Sequence, residues 1–145
     1  VGGTPYPWGS AWPPPKNAGN YAGEEAKDKD WPDNFLVIPN WRDPYPRTAP
    51  VGSFAANQFG LYDLGGNVWE WCADWYRKSL NTPEVRKQWP VLDQDHVGTA
   101  RVLRGASWTD GGAAYLASGF RYRDHPEGRN GFVGFRVVVG GGVSR

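Results

Sequence analysis

The residues best suited to chemistry lie in Gly60-Leu-Tyr-Asp-Leu-Gly-Gly-Asn-Val-Trp-Glu-Trp-Cys-Ala-Asp-Trp-Tyr76. Asp63 and Glu70 flank the Gly65-Gly66 pair, and Trp69, Trp71 and Trp75 follow in quick succession with the only cysteine, Cys72, between them. In an extended segment side chains alternate, so Trp69 and Trp71 share one face while Glu70 and Cys72 take the other. Asp63 and the two glycines make a compact turn whose carbonyls are free to point inward. Two carboxylates around a turn rich in backbone oxygens suit a hard cation such as calcium. The competing reading is structural, with Asp63 capping the turn and Glu70 pairing with an arginine.

Other constellations point to chemistry less strongly. His96 and His125 show no ligand spacing and read as solvated loop residues. Ser107 has no partner set for a nucleophile and reads as closing a turn. Arg121, Arg123, Arg129 and Arg136 could hold an anion, but Asp110, Asp124 and Glu127 nearby favour structural ion pairs. A lone strand cysteine is more often a small buried apolar residue than a nucleophile.

The frame that must position these residues is unusual in composition. The chain has 145 residues, one domain's worth, with 20 Gly, 13 Pro, 9 Trp and no Met. An aromatic fraction of 15% argues that glycine and proline shape loops around an aromatic core, with few long helices. The net charge of +1 provides no electrostatic case for nucleic acid or an anionic membrane. No apolar run approaches the ~20 residues needed to span a bilayer. One cysteine excludes an internal disulfide and leaves the compartment open.

In chain order, residues 1–15 are proline-rich and irregular, yet Tyr6, Trp8 and Trp12 argue for a loop pinned to a core. A helical turn is expected within Glu24–Lys29, and a short strand within Thr48–Phe54. Arg77–Gln88 reads as a surface excursion with a short helix, and Val91–Thr99 as loop. Arg101–Arg104 is a short strand, Tyr115–Arg123 has strand character, and Asp124–Gly131 is a polar loop. Phe132–Val139 is the clearest strand of all, and Gly140–Arg145 a flexible tail. The sum is an α+β or mostly irregular β domain.

Six motifs occur together: Tyr6-Pro-Trp-Gly9, Thr48-Ala-Pro-Val51, Gly60 to Trp71, Arg101-Val-Leu-Arg-Gly-Ala-Ser-Trp108, Arg121-Tyr-Arg123 and Gly134-Phe-Arg136. The set resembles the formylglycine-generating enzyme (sulfatase-modifying factor) family over nearly the whole chain. The resemblance implies a loop-rich α+β fold of C-type-lectin type with short antiparallel strands over residues 1–145. It also implies that the family's portion ahead of the Tyr-Pro-Trp-Gly element is missing, as in a fragment or a chain pairing with a separate N-terminal piece. The catalytic members bind copper(I) through two cysteines just after the Gly-Gly-Ser-aromatic element. Here those positions are Asp110 and Tyr115, which cannot supply the thiolates that copper(I) selects. The resemblance therefore implies neither copper nor formylglycine generation. It does imply two structural calcium sites. One uses Asp63 and Glu70 by side chain with Gly66 and Val68 by carbonyl; the other uses Asn20 and Asp43 by side chain with Tyr21 and Tyr45 by carbonyl.

Three functions remain open at this point. The first is a non-catalytic ligand-binding module for a protein or other macromolecular partner, as in the variable proteins diversified by retroelements. The resemblance then places the binding face between Ser107 and Phe135, with Asp110, Gly111, Gly112, Tyr115, Asp124, His125, Asn130 and Phe132 as candidate contacts. The second is an oxidoreductase-type member with other chemistry, and the third a sensory or adaptor domain of a larger protein.

Overall fold

The computed structural model describes residues 3–78 and 99–138. The expected features of Val91–Thr99 up to residue 98, most of Arg77–Gln88, His96, Val139 and the tail Gly140–Arg145 lie outside the described residues. Regular structure is sparse. The helical piece among the described residues is one 3-10 turn, Glu24–Ala26, within the stretch where a helical turn is expected. Four short strands follow: β1 Trp69–Trp75, β2 Arg101–Arg104, β3 Tyr122–Asp124 and β4 Val133–Gly134.

These strands form one sheet in the order β3-β2-β1-β4. β1 and β2 run antiparallel, with Glu70 opposite Arg104 and Trp71 opposite Leu103; the register then shifts before Trp75 meets Arg101. That irregularity is a bulge, a device that twists a strand and re-aims its side chains. β2 and β3 are also antiparallel, but β4 runs parallel to β1, with Trp69 beside Val133 and Glu70 beside Gly134. The expected antiparallel strands thus describe two of these pairings and not the third.

Three strand expectations need correction. Phe132–Val139 shortens to two residues, because β4 pairs with β1 only as far as Gly134. Beyond it Phe135, Val137 and Val138 are exposed, so the β-branched run has no partner strand among the described residues. Tyr115–Arg123 begins as turns, with Tyr115 and Leu116 amides donating to the Gly112 carbonyl, and pairs only from Tyr122. Thr48–Phe54 forms no strand; the amide and hydroxyl of Ser53 both return to the Pro50 carbonyl.

Aromatic packing takes over where strands are few. Tyr21, Ile38, Trp41, Trp69, Leu103, Ala106 and Leu116 form the buried cluster, and several of them come from loops. Tyr6 stacks on Trp8 at 4.9 Å, Trp8 meets Tyr21 at 5.4 Å, and Tyr21 meets Trp41 at 6.2 Å. Aromatic pairs of this kind add about 0.5–1.5 kcal/mol each beyond area burial. The proline-rich opening is therefore pinned to the core, as its aromatics imply. Side chains also stand in for missing sheet ladders. The Asn67 amide both accepts from the Ala49 N–H and donates to its carbonyl, and the Trp41 indole donates to the Pro14 carbonyl.

Strand alternation in β1 then sorts the chemistry. Trp69 turns toward the core and a pocket on one side, while Glu70 lines a cleft on the other.

Candidate functional site

The pocket beside Trp69 has a volume of about 290 Å³. Phe35, Leu36, Trp69, Tyr115, Tyr122 and Phe132 supply its apolar wall, with Asp110 and Thr109 as polar members. The site draws on several segments: the 34–36 loop, the start of β1, the 109–115 turns, the start of β3 and the entry to β4. Asp110 is fixed from below. Its Oδ2 accepts the Ser107 N–H at 2.9 Å and the Ser107 Oγ–H at 2.7 Å. Burial pushes its carboxyl above the usual range, partly offset by these bonds and by one from the Trp69 side chain. Ser107 thus closes a turn, as its setting in the sequence suggests, and positions the acid while doing so.

Gly111 explains how the far wall is held. A Cβ at this position would meet the Leu36 carbonyl oxygen at 2.4 Å and the Val37 Cα at 2.6 Å. Only glycine lets the two backbones approach this closely, and the Ala22 amide, donating to the Asp110 carbonyl, ties the same turn to the core.

Five of the eight candidate contacts, Asp110, Gly111, Gly112, Tyr115 and Phe132, line this pocket. Asp124, His125 and Asn130 do not; Asp124 ends β3, and His125 and Asn130 belong to the loop that runs from it to Phe132. Asp124 Oδ1 accepts the His125 N–H at 2.7 Å, and Asn130 Oδ1 accepts the Phe132 N–H at 3.1 Å. Sequence reasoning missed Phe35, Leu36, Trp69 and Tyr122 as pocket residues. Trp69 and Tyr122 read as core and strand, which they also are. The exposure of Leu36, at 65%, has no local sequence signal.

On the other side of β1, Asp63, Gly66, Val68 and Glu70 line one cleft of about 480 Å³. Arg136 reaches into it. Its Nε donates to Glu70 Oε2 at 2.7 Å, its Nη2 donates to Glu70 Oε1 and to the Asp63 carbonyl, and its Nη1 donates to the Tyr62 carbonyl at 3.0 Å. Asp63, in the left-handed region at φ 51°, accepts the Gly52 N–H through Oδ2 at 2.7 Å. The cleft brings the four residues together, but the cation that its Glu70 carboxylate and Asp63 carbonyl hold is a guanidinium, while the Asp63 carboxylate is turned to the Gly52 amide. A calcium ion fits here only with Arg136 withdrawn from Glu70.

Asn20, Tyr21, Asp43 and Tyr45 form the second oxygen-rich set. Asp43 bridges the two loops, accepting the Tyr21 N–H through Oδ2 at 3.1 Å and the Tyr45 N–H through Oδ1 at 2.7 Å. Burial raises its carboxyl to about 6, against the effect of those amides, and Glu25 adds repulsion. Asn20 is buried; its Nδ2 donates to the Arg47 carbonyl while its Oδ1 has no hydrogen-bond partner. A buried oxygen without a donor is costly, and an oxygen-seeking cation would satisfy it. This set fits calcium on that ground. The two sets also touch: the Asn67 N–H donates to the Asn20 carbonyl, and a Cβ at Gly66 would meet that oxygen at 2.4 Å.

Cys72 is half-buried, and its Sγ–H points at the Glu70 carbonyl at 3.9 Å. Burial pushes its thiol up, the opposite of what a nucleophilic thiolate needs. The arginines do not pair with Asp110, Asp124 or Glu127 as the sequence suggests. Arg121 and Arg123 lie over the Tyr76 ring at 5.1 Å and 4.8 Å, and Arg136 serves Glu70.

Known proteins place this architecture. The chain is similar to the formylglycine-generating enzyme of Streptomyces coelicolor, 32% identical over 142 residues, which is 95% of this chain and 41% of that protein. It is 34% identical over 145 residues to the inactive C-alpha-formylglycine-generating enzyme 2 of Bos taurus, covering 97% of this chain and 39% of that protein. Among solved structures, PvdO from Pseudomonas aeruginosa superposes with a TM-score of 0.52 at 34% identity, over 63% of this chain and 34% of that one. The chain spans well under half the length of these relatives. The model of the sulfatase-modifying factor enzyme 1-like domain matches residues 2–140, and the chain belongs to that family.

Proposed function

We propose that this domain is a non-catalytic module that binds a protein ligand through the face between Ser107 and Phe135, on a C-type-lectin-like scaffold. The observation that carries this reading is the setting of Asp110 and Tyr115. The resemblance assigns the copper-binding cysteines to these two positions, and both side chains line the aromatic pocket. A carboxylate and a phenol in those places keep the concave site while removing the soft donors that copper(I) requires. Loops carry the contacts and the aromatic core fixes them, the arrangement by which adaptable binding faces are built. Among relatives, both an enzyme and an inactive counterpart occur, so family membership alone is neutral on catalysis.

Calcium is proposed as a structural ion, held first by Asn20, Tyr21, Asp43 and Tyr45, where Asn20 Oδ1 is free to take it. The Asp63, Gly66, Val68 and Glu70 set is a second, weaker site at which the ion competes with Arg136. Copper is not part of the proposal.

The test has two arms. Incubation with copper(I) and a cysteine peptide of the sulfatase type is expected to yield no aldehyde by mass spectrometry; turnover would overturn the non-catalytic reading. Pull-down with wild type and with a Tyr115→Ala/His125→Ala/Phe132→Ala variant should capture a partner only with wild type, with the variant still unfolding cooperatively in urea. Equal capture by both would remove the assigned face.

A further inference from the structure

The aromatic pocket contains a carboxylate for which no ion-pair partner stands among the described residues. Asp110 sits half-buried with its carboxylate held by Ser107 and Trp69, and all of these partners are neutral donors. Among the described residues the arginines nearest in sequence are engaged elsewhere: Arg104 donates to the Ser118 carbonyl, Arg101 donates to the Ala73 carbonyl and lies over Trp75, and Arg121 and Arg123 lie over Tyr76. The rings of Trp69, Tyr115, Tyr122 and Phe132 line the same pocket as Asp110. The Trp69 and Tyr122 centroids are 5.4 Å apart at 31°, so they form a continuous aromatic wall. Tyr115 is braced edge-on by Phe120 at 5.1 Å, which fixes its ring at the mouth.

Ring faces carry negative quadrupole charge and attract cations within about 6 Å of the centroid. A carboxylate removed from water is stabilised by a cation and destabilised by a neutral or anionic occupant. We propose that this pocket receives an organic cation, the ammonium or guanidinium end of a side chain on the protein ligand, with Asp110 as counter-charge and the rings as walls. The alkyl stem of such a side chain would run past Leu36, whose exposure otherwise has no local explanation. The volume of about 290 Å³ admits a butyl stem with its head group. This inference rests on the binding-module reading for the source of the cation, but the pocket's charge preference stands on its own geometry.

The experiment is a titration followed through the Trp69 indole N–H resonance, with n-butylammonium and n-butylguanidinium as probes. 1-Pentanol is the neutral control and valerate the anionic one. At least one cation should shift the resonance saturably, about fivefold or more tighter than pentanol, while valerate leaves it unmoved. The two cation arms distinguish a lysine-like from an arginine-like head group. Asp110→Asn should reduce cation affinity to the level of pentanol. If that variant does not fold, Tyr122→Ala, at a position 43% exposed, should weaken the cation about threefold or more while weakening pentanol less. Equal binding of pentanol and the cations, or a flat titration with every probe, would overturn the proposal. A flat titration beside a retained protein partner would fail the pocket alone; saturable cation binding with no partner found would fail the module reading alone.

Discussion

Asp110 shows how one residue is read differently by sequence and by space. In the sequence it is the residue standing where the resemblance expects a cysteine; in the structure it is an acid fixed by Ser107 on an aromatic floor. Its carboxyl is raised above the ordinary 3.8 by burial, so the folded state holds its proton more tightly than the unfolded chain. The sign follows from linkage: this contribution is fully present below the unfolded value and is lost as pH rises through the folded one. Wild type should therefore lose stability relative to Asp110→Asn as pH rises from about 3.5 through the carboxylate range, read as denaturation midpoints. A difference constant with pH would show that the acid titrates normally. The neighbouring Gly111 gives a steric prediction. Gly111→Ala should cost about 1–3 kcal/mol, since the Leu36 and Val37 backbone cannot give way as a flexible side chain can. Chemical denaturation would measure it, and a neutral result would mean that the 34–36 loop is free to move.

At the scale of elements, the loops rather than the strands organise the oxygen donors. Asp43 ties Tyr21 to Tyr45, Asn67 ties Ala49 to the start of β1, and Arg136 ties the end of β4 to Tyr62, Asp63 and Glu70. Calcium should raise the melting temperature by several degrees at saturating concentration, as ligand linkage requires. Asn20→Ala with Asp43→Ala should remove most of that response, and Asp63→Ala with Glu70→Ala a smaller part. A wild type indifferent to calcium and chelator would end the metal proposal. Arg136→Met should behave oppositely. It leaves Glu70 without its counter-charge and two carbonyls without donors, at a cost of about 1–2 kcal/mol. If the cleft takes the ion, calcium should then stabilise the variant more than it does wild type; an equal response in both would confine calcium to the Asn20 set.

At the scale of the whole molecule, a four-stranded sheet of short strands is a small part of the fold, and the aromatic cluster unites the rest. Trp69 joins that cluster, the β1–β4 pairing and the pocket wall. Trp69→Ala should therefore cost about 3–5 kcal/mol, a large share of the ~5–15 kcal/mol of an ordinary domain's stability. Val137→Ala, at a residue 80% exposed, should change it little. Comparable losses at both positions, measured by urea unfolding, would mean that the exposed strand end is covered in solution.

What the sequence determined by itself is the part encoded in contiguous residues. Alternation in Trp69-Glu70-Trp71 predicts a strand with tryptophans inward and the carboxylate outward, and β1 has that arrangement. The six ordered motifs carry the family, the short strand Arg101–Arg104 was legible in its apolar pair, and the aromatics of the proline-rich opening implied its anchoring. The tertiary structure decided the rest, because partners distant in the chain cannot be read from local pattern. Phe132–Val139 has strand propensity throughout, yet a strand needs a neighbour to satisfy its amides, and β1 offers one only as far as Gly134. Glu70 could have faced an ion or an arginine on sequence grounds; Arg136, 66 residues away, takes both its oxygens in the fold. The pocket required Gly111 against the backbone of residues 36–37, a contact carried by the absence of a side chain and invisible until two loops are brought together.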